Sequence, residues 1–260
     1  MATYYYNHRN PNFPVSVTDE TLKLTPHTFT KNRPVWEEKS IDYFYDNIPT
    51  DKPITVVDIG AQTGLYTLYA KYLPQSTFYS FEPFLQSYNV LNDNIALNKI
   101  TNVRAYNIGI SNSKGEAILH TSRSHNGLHT IGSKPTRFRD IAPVTINVDT
   151  LDNLFYEKDI SVDFMKIDTE GWEYYILEGG RKTIQKYKPM IQLEWNKENM
   201  AQCNVNIYRF QKYIENVLGY TKKNMIAEEL FIVYSGSSDA PREWVRQKSD
   251  IHFLSLYVRL

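Results

Sequence analysis

The sequence predicts an α/β fold, a mostly parallel sheet with helices on both faces and a closing antiparallel strand. Three observations predict it. Apolar runs, several of them β-branched or aromatic, recur at 54–58, 77–81, 103–108, 162–167 and 190–195. Amphipathic stretches at 64–73, 84–98, 172–187 and 205–218 alternate with them. The run VVDIGAQTG (56–64) carries a strand into a glycine turn and then a helix, where open parallel sheets hold a ligand.

Taken in order, residues 1–50 are polar and punctuated by Pro11, Pro14, Pro26 and Pro34, with one helical stretch from Val35 to Asn47. Residues 1–53 therefore read as a lid or helical extension, and 54–260 as the main domain. The strand–helix alternation starts at Ile54. After the third strand it is interrupted by two short strands, 115–120 and 143–148, flanking a loop rich in Ser, His, Gly and Arg. A loop of that length in a compact domain is usually functional or mobile. In the tail, 229–234 and 252–259 read as an antiparallel hairpin closing the sheet edge.

Composition excludes several classes. Lys plus Arg and Asp plus Glu both number 29, so no net field favours nucleic acid or a membrane surface. The single cysteine, Cys203, rules out a disulfide framework and a Cys-rich zinc site. The opening MATYYYNHRN lacks the apolar core of a signal peptide, and no apolar stretch is long enough to span a bilayer. A cytoplasmic protein is expected, without a nucleic-acid partner.

The glycine turn narrows the ligand. Dinucleotide binding needs G-x-G-x-x-G, whose second glycine lets backbone approach a pyrophosphate. Counted from Gly60, those positions hold Gln62 and Leu65. A nucleoside without phosphates, such as S-adenosylmethionine, needs the tight turn but not that approach. Asp58 adds a carboxylate suited to a cationic ligand, and Glu82 in YSFEPF stands where an acid accepts ribose hydroxyls.

A second cluster lies in DFMKIDTEGWEYYILEGG (163–180). Asp168 ends a strand and faces the cleft, with Lys166 two residues back on the same strand face and expected to pair with an acid of a neighbouring strand. Glu170 follows, and Glu173 reads as an acid favoured by a helix N-terminus. The next strand ends IQLEWN, offering Glu194 and Asn196. Two readings stay open: Asp168, Glu194 and Asn196 as oxygen ligands of Mg²⁺ or Mn²⁺, or a hydrogen-bonded pocket with no metal. Tyr66, Trp172 and Trp195, with Asn196, could face an acceptor, and Trp36 and Tyr43 could close over it. Arg123, Arg137 and Arg139 make the long loop basic, which suits an anionic acceptor or plain solvation.

VVDIGAQTG, FEP, NVLNDNIALN, the GEAIL strand, VDTLDNL and MKIDTEGWEYYILEGG together resemble the FkbM-type methyltransferase family, over roughly residues 54–200. The resemblance implies the Rossmann-like class I methyltransferase fold with seven strands, S-adenosylmethionine, and O-methylation of a sugar, glycan or polyketide-like acceptor. It implies cofactor contacts from Asp58, the Gly60–Ala61–Gln62–Thr63–Gly64 turn, Glu82, Asn107 and Asp168, with Asp168 to Glu170 bordering the methyl group. His125 and His129 stand where the family usually has small residues. Methyl transfer to an alcohol is an in-line displacement, helped by a base or a metal. The candidates are Asp168, Glu170, Glu194, His125 and His129. The rival readings are a natural-product O-methyltransferase and a non-catalytic pseudo-methyltransferase on the same fold.

Overall fold

A computed structural model describes residues 2–5, 14–24, 38–122, 129–132, 141–226 and 229–236. The chain begins with the antiparallel pair β1 (Ala2–Tyr5) and β2 (Pro14–Val17), then helices α1 (Asp19–Leu24) and α2 (Glu38–Asn47). The core sheet uses β3 (Thr55–Ile59), β4 (Thr77–Phe81), β5 (Val103–Tyr106), β9 (Phe164–Ile167), β10 (Met190–Glu194), β11 (Tyr220–Ile226) and β12 (Glu229–Tyr234). Their spatial order is β11-β12-β10-β9-β3-β4-β5. Only β12 runs against the others in this sheet. A side sheet holds β6 (Gly109–Ile110), β8 (Ile141–Asp149) and β7 (Gly115–Ser122), so the expected interrupting strands form a hairpin beside the main sheet.

The chain runs outward from β3 through β4 to β5, then crosses back to lay β9 on the other side of β3. That reversal puts the switch point between Ile59 and Ile167, the place where open parallel sheets bind ligands at the strands' carboxyl ends.

Each face of the sheet has its own core. On one, Val57, Ile59, Met165, Ile167, Ile191 and Leu193 pack against α4 (Glu173–Gly179), α5 (Arg181–Tyr187) and α7 (Ile207–Lys212). On the other, Val56, Phe78 and Phe164 meet Ile41 and Phe44 of α2, with Ile48 just beyond it. The i, i+3, i+7 spacing of these three gives α2 its apolar stripe. Toward the carboxyl ends this second face turns polar, with Asp58, Ser80, Lys166 and Gln192 all buried.

Motif residues account for much of the scaffold. Asp152 of the Thr-Leu-Asp run accepts bonds from Lys182 N (3.1 Å), Thr183 N (2.8 Å) and Thr183 Oγ1 (2.8 Å), capping α5. The asparagine-rich helix α3 (Leu85–Leu97) uses Asn94 to bind Thr18, Thr21 and the Thr63 carbonyl, while Asn98, just past its end, binds Ser16. Asparagine suits this task because its amide donates and accepts at once.

Three expectations change. The 64–73 stretch is a short 3₁₀ helix, Thr67–Tyr72, whose residues Thr67 to Ala70 are buried. The 229–234 strand pairs with Tyr220–Ile226 and lies inside the sheet, with β11 at the edge; residues 252–259 lie outside the described residues. In the helical stretch from Val35, only Glu38 onward is described. Among the described residues no helix is long and apolar enough to cross a membrane.

Candidate functional site

After β3 the chain turns through positive φ at Gly60 (77°), Gln62 (49°) and Gly64 (103°). A Cβ on Gly60 would collide with the Asp168 carbonyl oxygen, so glycine is what lets this turn pass the end of β9. A Cβ on Gly64 would come within 2.8 Å of Leu91 on α3. Both glycines thus answer to neighbouring protein. The Gly60 and Ala61 amides donate to the Phe81 carbonyl at 3.0 and 3.1 Å. The Gln62 amide donates to Glu82 Oε2 at 2.8 Å, and the Phe84 amide to Oε1 at 2.8 Å. Glu82 therefore ties the glycine turn to the loop after β4. Its burial, opposed by those two amides, pushes its pKa up to about 7. Asn107 donates to the carbonyls of Glu82 (2.9 Å) and Pro83 (3.0 Å), joining the end of β5 to the same loop.

Asp58 lies beneath this turn, fully buried, with Oδ2 accepting from Thr67 Oγ1 at 2.7 Å. Its Oδ1 has no hydrogen-bond partner among the described residues. Burial raises its pKa, and the Lys166 charge opposes that rise. Lys166 pairs with Asp168 Oδ2 at 3.0 Å and sits over the Tyr66 ring, 5.0 Å from its centroid. Lys166 thus pairs with Asp168, two residues along, and its charge also acts on Asp58 of the neighbouring β3.

Beyond Asp168 the backbone takes left-handed conformations at Glu170 (φ 56°) and Gly171 (φ 101°). Glu173 holds this turn, its Oε1 accepting from Thr169 N (2.9 Å), Thr169 Oγ1 (2.9 Å) and, more weakly, Gly171 N (3.3 Å). Glu173 thus does more than face a helix dipole; burial also lifts its pKa to about 7. Gly171 is needed because a Cβ there would collide with the Asn199 carbonyl on α6 (Lys197–Gln202).

The turn brings Glu170 to Glu194. Asn199 Nδ2 donates to Glu170 Oε2 at 2.6 Å and to Glu194 Oε1 at 3.2 Å, bridging two carboxylates that repel each other. Burial, then the charge on Glu170, drives the Glu194 pKa well upward. One carboxylate oxygen from each of Asp168, Glu170 and Glu194 lies within 4.8 Å of the others. Asn199 had no signal in the sequence beyond its position five residues after Glu194.

Several expected residues take other places. The Asn196 oxygen caps α6 through the Glu198 and Asn199 amides (3.0 and 3.1 Å), and Glu170 joins Asp168 and Glu194 in the carboxylate set. Tyr66 is 2% exposed, and its hydroxyl takes a 2.6 Å bond from Gln192 Nε2; it is core, not an acceptor platform. Trp172 donates to Ser111 Oγ at 3.2 Å and packs on Tyr175, and Trp195 stacks on Phe210, so both serve the apolar core at least in part. Tyr43 meets the edge of Phe231 on the sheet. The His129 ring lies against Phe84, where burial lowers its pKa to about 4 and weakens it as a proton acceptor. His125, Trp36, Arg123, Arg137 and Arg139 lie outside the described residues.

The donor set discriminates between cofactors. Asp58 lies close enough to Asp168 and to Glu82 for their charges to act on one another, an acidic setting that would repel a pyrophosphate and suits a ligand carrying positive charge.

Comparison with known proteins points the same way. The sequence profile of the methyltransferase FkbM domain matches residues 58–223. "Methyltransferase sdnD" of Sordaria araneosa is 30% identical over 176 residues, covering 56% of this chain and 67% of that protein. "Methyltransferase 1" of Beauveria bassiana is 25% identical over 163 residues, covering 56% of this chain and 66% of that protein. The chain therefore spans about two thirds of the length of these relatives. A crystal structure of methyltransferase FkbM from Methylobacillus flagellatus is 13% identical with a TM-score of 0.48, covering 83% of this chain and 59% of that one.

Proposed function

The chain belongs to the FkbM family of S-adenosylmethionine-dependent methyltransferases, and we propose that it methylates a hydroxyl oxygen of a sugar, a glycan or a related small molecule. The observation that carries this reading is the meeting of Asp168, Glu170 and Glu194 at the carboxyl ends of β9 and β10, one backbone contact away from the Gly60 turn. S-adenosylmethionine supplies an electrophilic methyl group on its sulfonium. The chain's own residues do the rest. The Gly60–Gly64 turn and Glu82 bind the nucleoside, with the Glu82 carboxylate receiving the ribose hydroxyls and Asn107 keeping its loop in place. Asp58 and Asp168 favour the cationic end.

Asp168, fixed by Lys166, orients the acceptor hydroxyl. Glu170 or Glu194, both close to Asp168, takes the hydroxyl proton as general base. Holding oxygen and methyl carbon in line accounts for much of the rate. A sugar or glycan hydroxyl is the simplest acceptor for this carboxylate-lined crevice. Natural-product hydroxyls are the second reading, supported by the same chemistry.

The test is incubation of the purified protein with S-adenosylmethionine and a panel of sugars, nucleotide-sugars and polyol natural products. Release of S-adenosylhomocysteine is read first, and the methylated atom is then located by NMR. Methyl on oxygen supports the reading. Methyl on nitrogen or carbon, or cofactor binding without turnover on any acceptor, counts against it, the last favouring a pseudo-enzyme.

A further inference from the structure

Glu194 is only 8% exposed, yet its Oε2 has no hydrogen-bond partner among the described residues. A bare, buried carboxylate oxygen is costly, and this one belongs to a residue facing two further carboxylates. The surrounding contacts keep the three groups close. Lys166 fixes Asp168 through Oδ2, and Asn199 holds Glu170 through Oε2 and Glu194 through Oε1. Glu173 fixes the left-handed turn that presents Glu170. Supports of this kind are what orient the ligands of a metal site.

We propose that Asp168, Glu170 and Glu194 bind one divalent, oxygen-seeking cation of the Mg²⁺, Mn²⁺ or Ca²⁺ class. The geometry suits it. Oxygens within 4.8 Å of one another can share an ion whose metal–oxygen bonds are about 2.1 to 2.4 Å. The ligand set is all oxygen, which selects hard cations over zinc or copper. When ionised, the three carboxylates outweigh the Lys166 charge by two units, the charge of one such ion.

The site rests on the proposed O-methyl transfer for its purpose. An ion there keeps open positions for water and for the acceptor hydroxyl, whose oxygen it would fix and whose proton it would make more acidic. Binding of the ion itself can be measured without any turnover.

The experiment is a Mn²⁺ titration of the full chain followed by electron paramagnetic resonance, which reads free Mn²⁺ directly, with Mg²⁺ and Ca²⁺ as competitors. Wild-type protein is expected to take up one Mn²⁺, and Glu194→Gln and Glu170→Gln to weaken that uptake about tenfold or more. S-adenosylhomocysteine affinity, measured in parallel by calorimetry, is expected to stay the same in both variants and so reports their folding. No uptake of Mn²⁺ by the wild type, or uptake by both variants at wild-type affinity, overturns the site. Loss of nucleoside binding in the wild type would instead sink the methyltransferase reading, whatever the Mn²⁺ titration shows.

Discussion

Lowering the pH from 8 to 6 should weaken S-adenosylhomocysteine binding about tenfold, through Glu82 alone. In the folded protein burial lifts the Glu82 pKa from 4.5 to about 7, with Asp58 adding to the rise and Lys166 opposing it. Ribose hydroxyls donate to the ionised carboxylate, so the bound state favours the charged form and binding tightens as pH rises through 7. If only that form binds, the fraction competent falls from about nine-tenths at pH 8 to about one-tenth at pH 6. The same shift sets a stability trend. The folded state holds a proton that the unfolded state has lost between pH 4.5 and about 7, so Glu82 contributes less stability as pH climbs through that window. The full shift is worth about 3 kcal/mol. Calorimetry at pH 6, 7 and 8, in two buffers of different ionisation enthalpy, should show proton release on binding that vanishes in Glu82→Gln. Affinity that is flat across this range, or a Glu82→Gln protein with an unchanged slope, would refute the reasoning, because Glu173 and Glu194 would then be carrying the titration.

Gly60→Ala should cost roughly 3 kcal/mol or more, read as a lower urea midpoint, since the new methyl must displace the Asp168 carbonyl at a positive φ. Glu170→Gln should leave S-adenosylhomocysteine affinity unchanged while lowering kcat by about 100-fold or more, measured by S-adenosylhomocysteine release. Tyr66→Phe removes one of the two partners of Gln192 Nε2, leaving Glu229 Oε2, and should cost about 1 kcal/mol by chemical denaturation, with no change in acceptor KM. A KM change without loss of stability would return Tyr66 to the acceptor site.

The four inner parallel strands, β3, β4, β9 and β10, were legible because buried parallel strands read as continuous apolar runs, as in Val56 to Ile59 and Phe164 to Ile167. β11 was not, because its sequence TKKNM is polar and half-buried, as an edge strand can be. At the site, Asp58, Glu82 and Asp168 were found because their place at strand ends follows from the alternation itself. Asn196, expected among the oxygen ligands, serves as a helix cap. An asparagine before Lys-Glu-Asn at a helix start is also the pattern of an N-cap, and that is the use the fold makes of it. Tyr66 was taken for a surface because an aromatic beside a glycine turn looks the same whether it faces ligand or core. Asn199 and Glu173 act only through partners that the tertiary fold supplies. Asn199 bridges Glu170, 29 residues earlier, a relation no local pattern announces.

The collision that keeps position 60 as glycine has a consequence for redesign. Because the turn after β3 lies directly on the carbonyl of Asp168, the two loops proposed to hold nucleoside and acceptor share a fixed spacing. Chimeras that import either loop from a relative without the other should lose both functions together. Acceptor preference is better altered from the β7–β8 hairpin than from α6, whose Asn199 bridges Glu170 and Glu194.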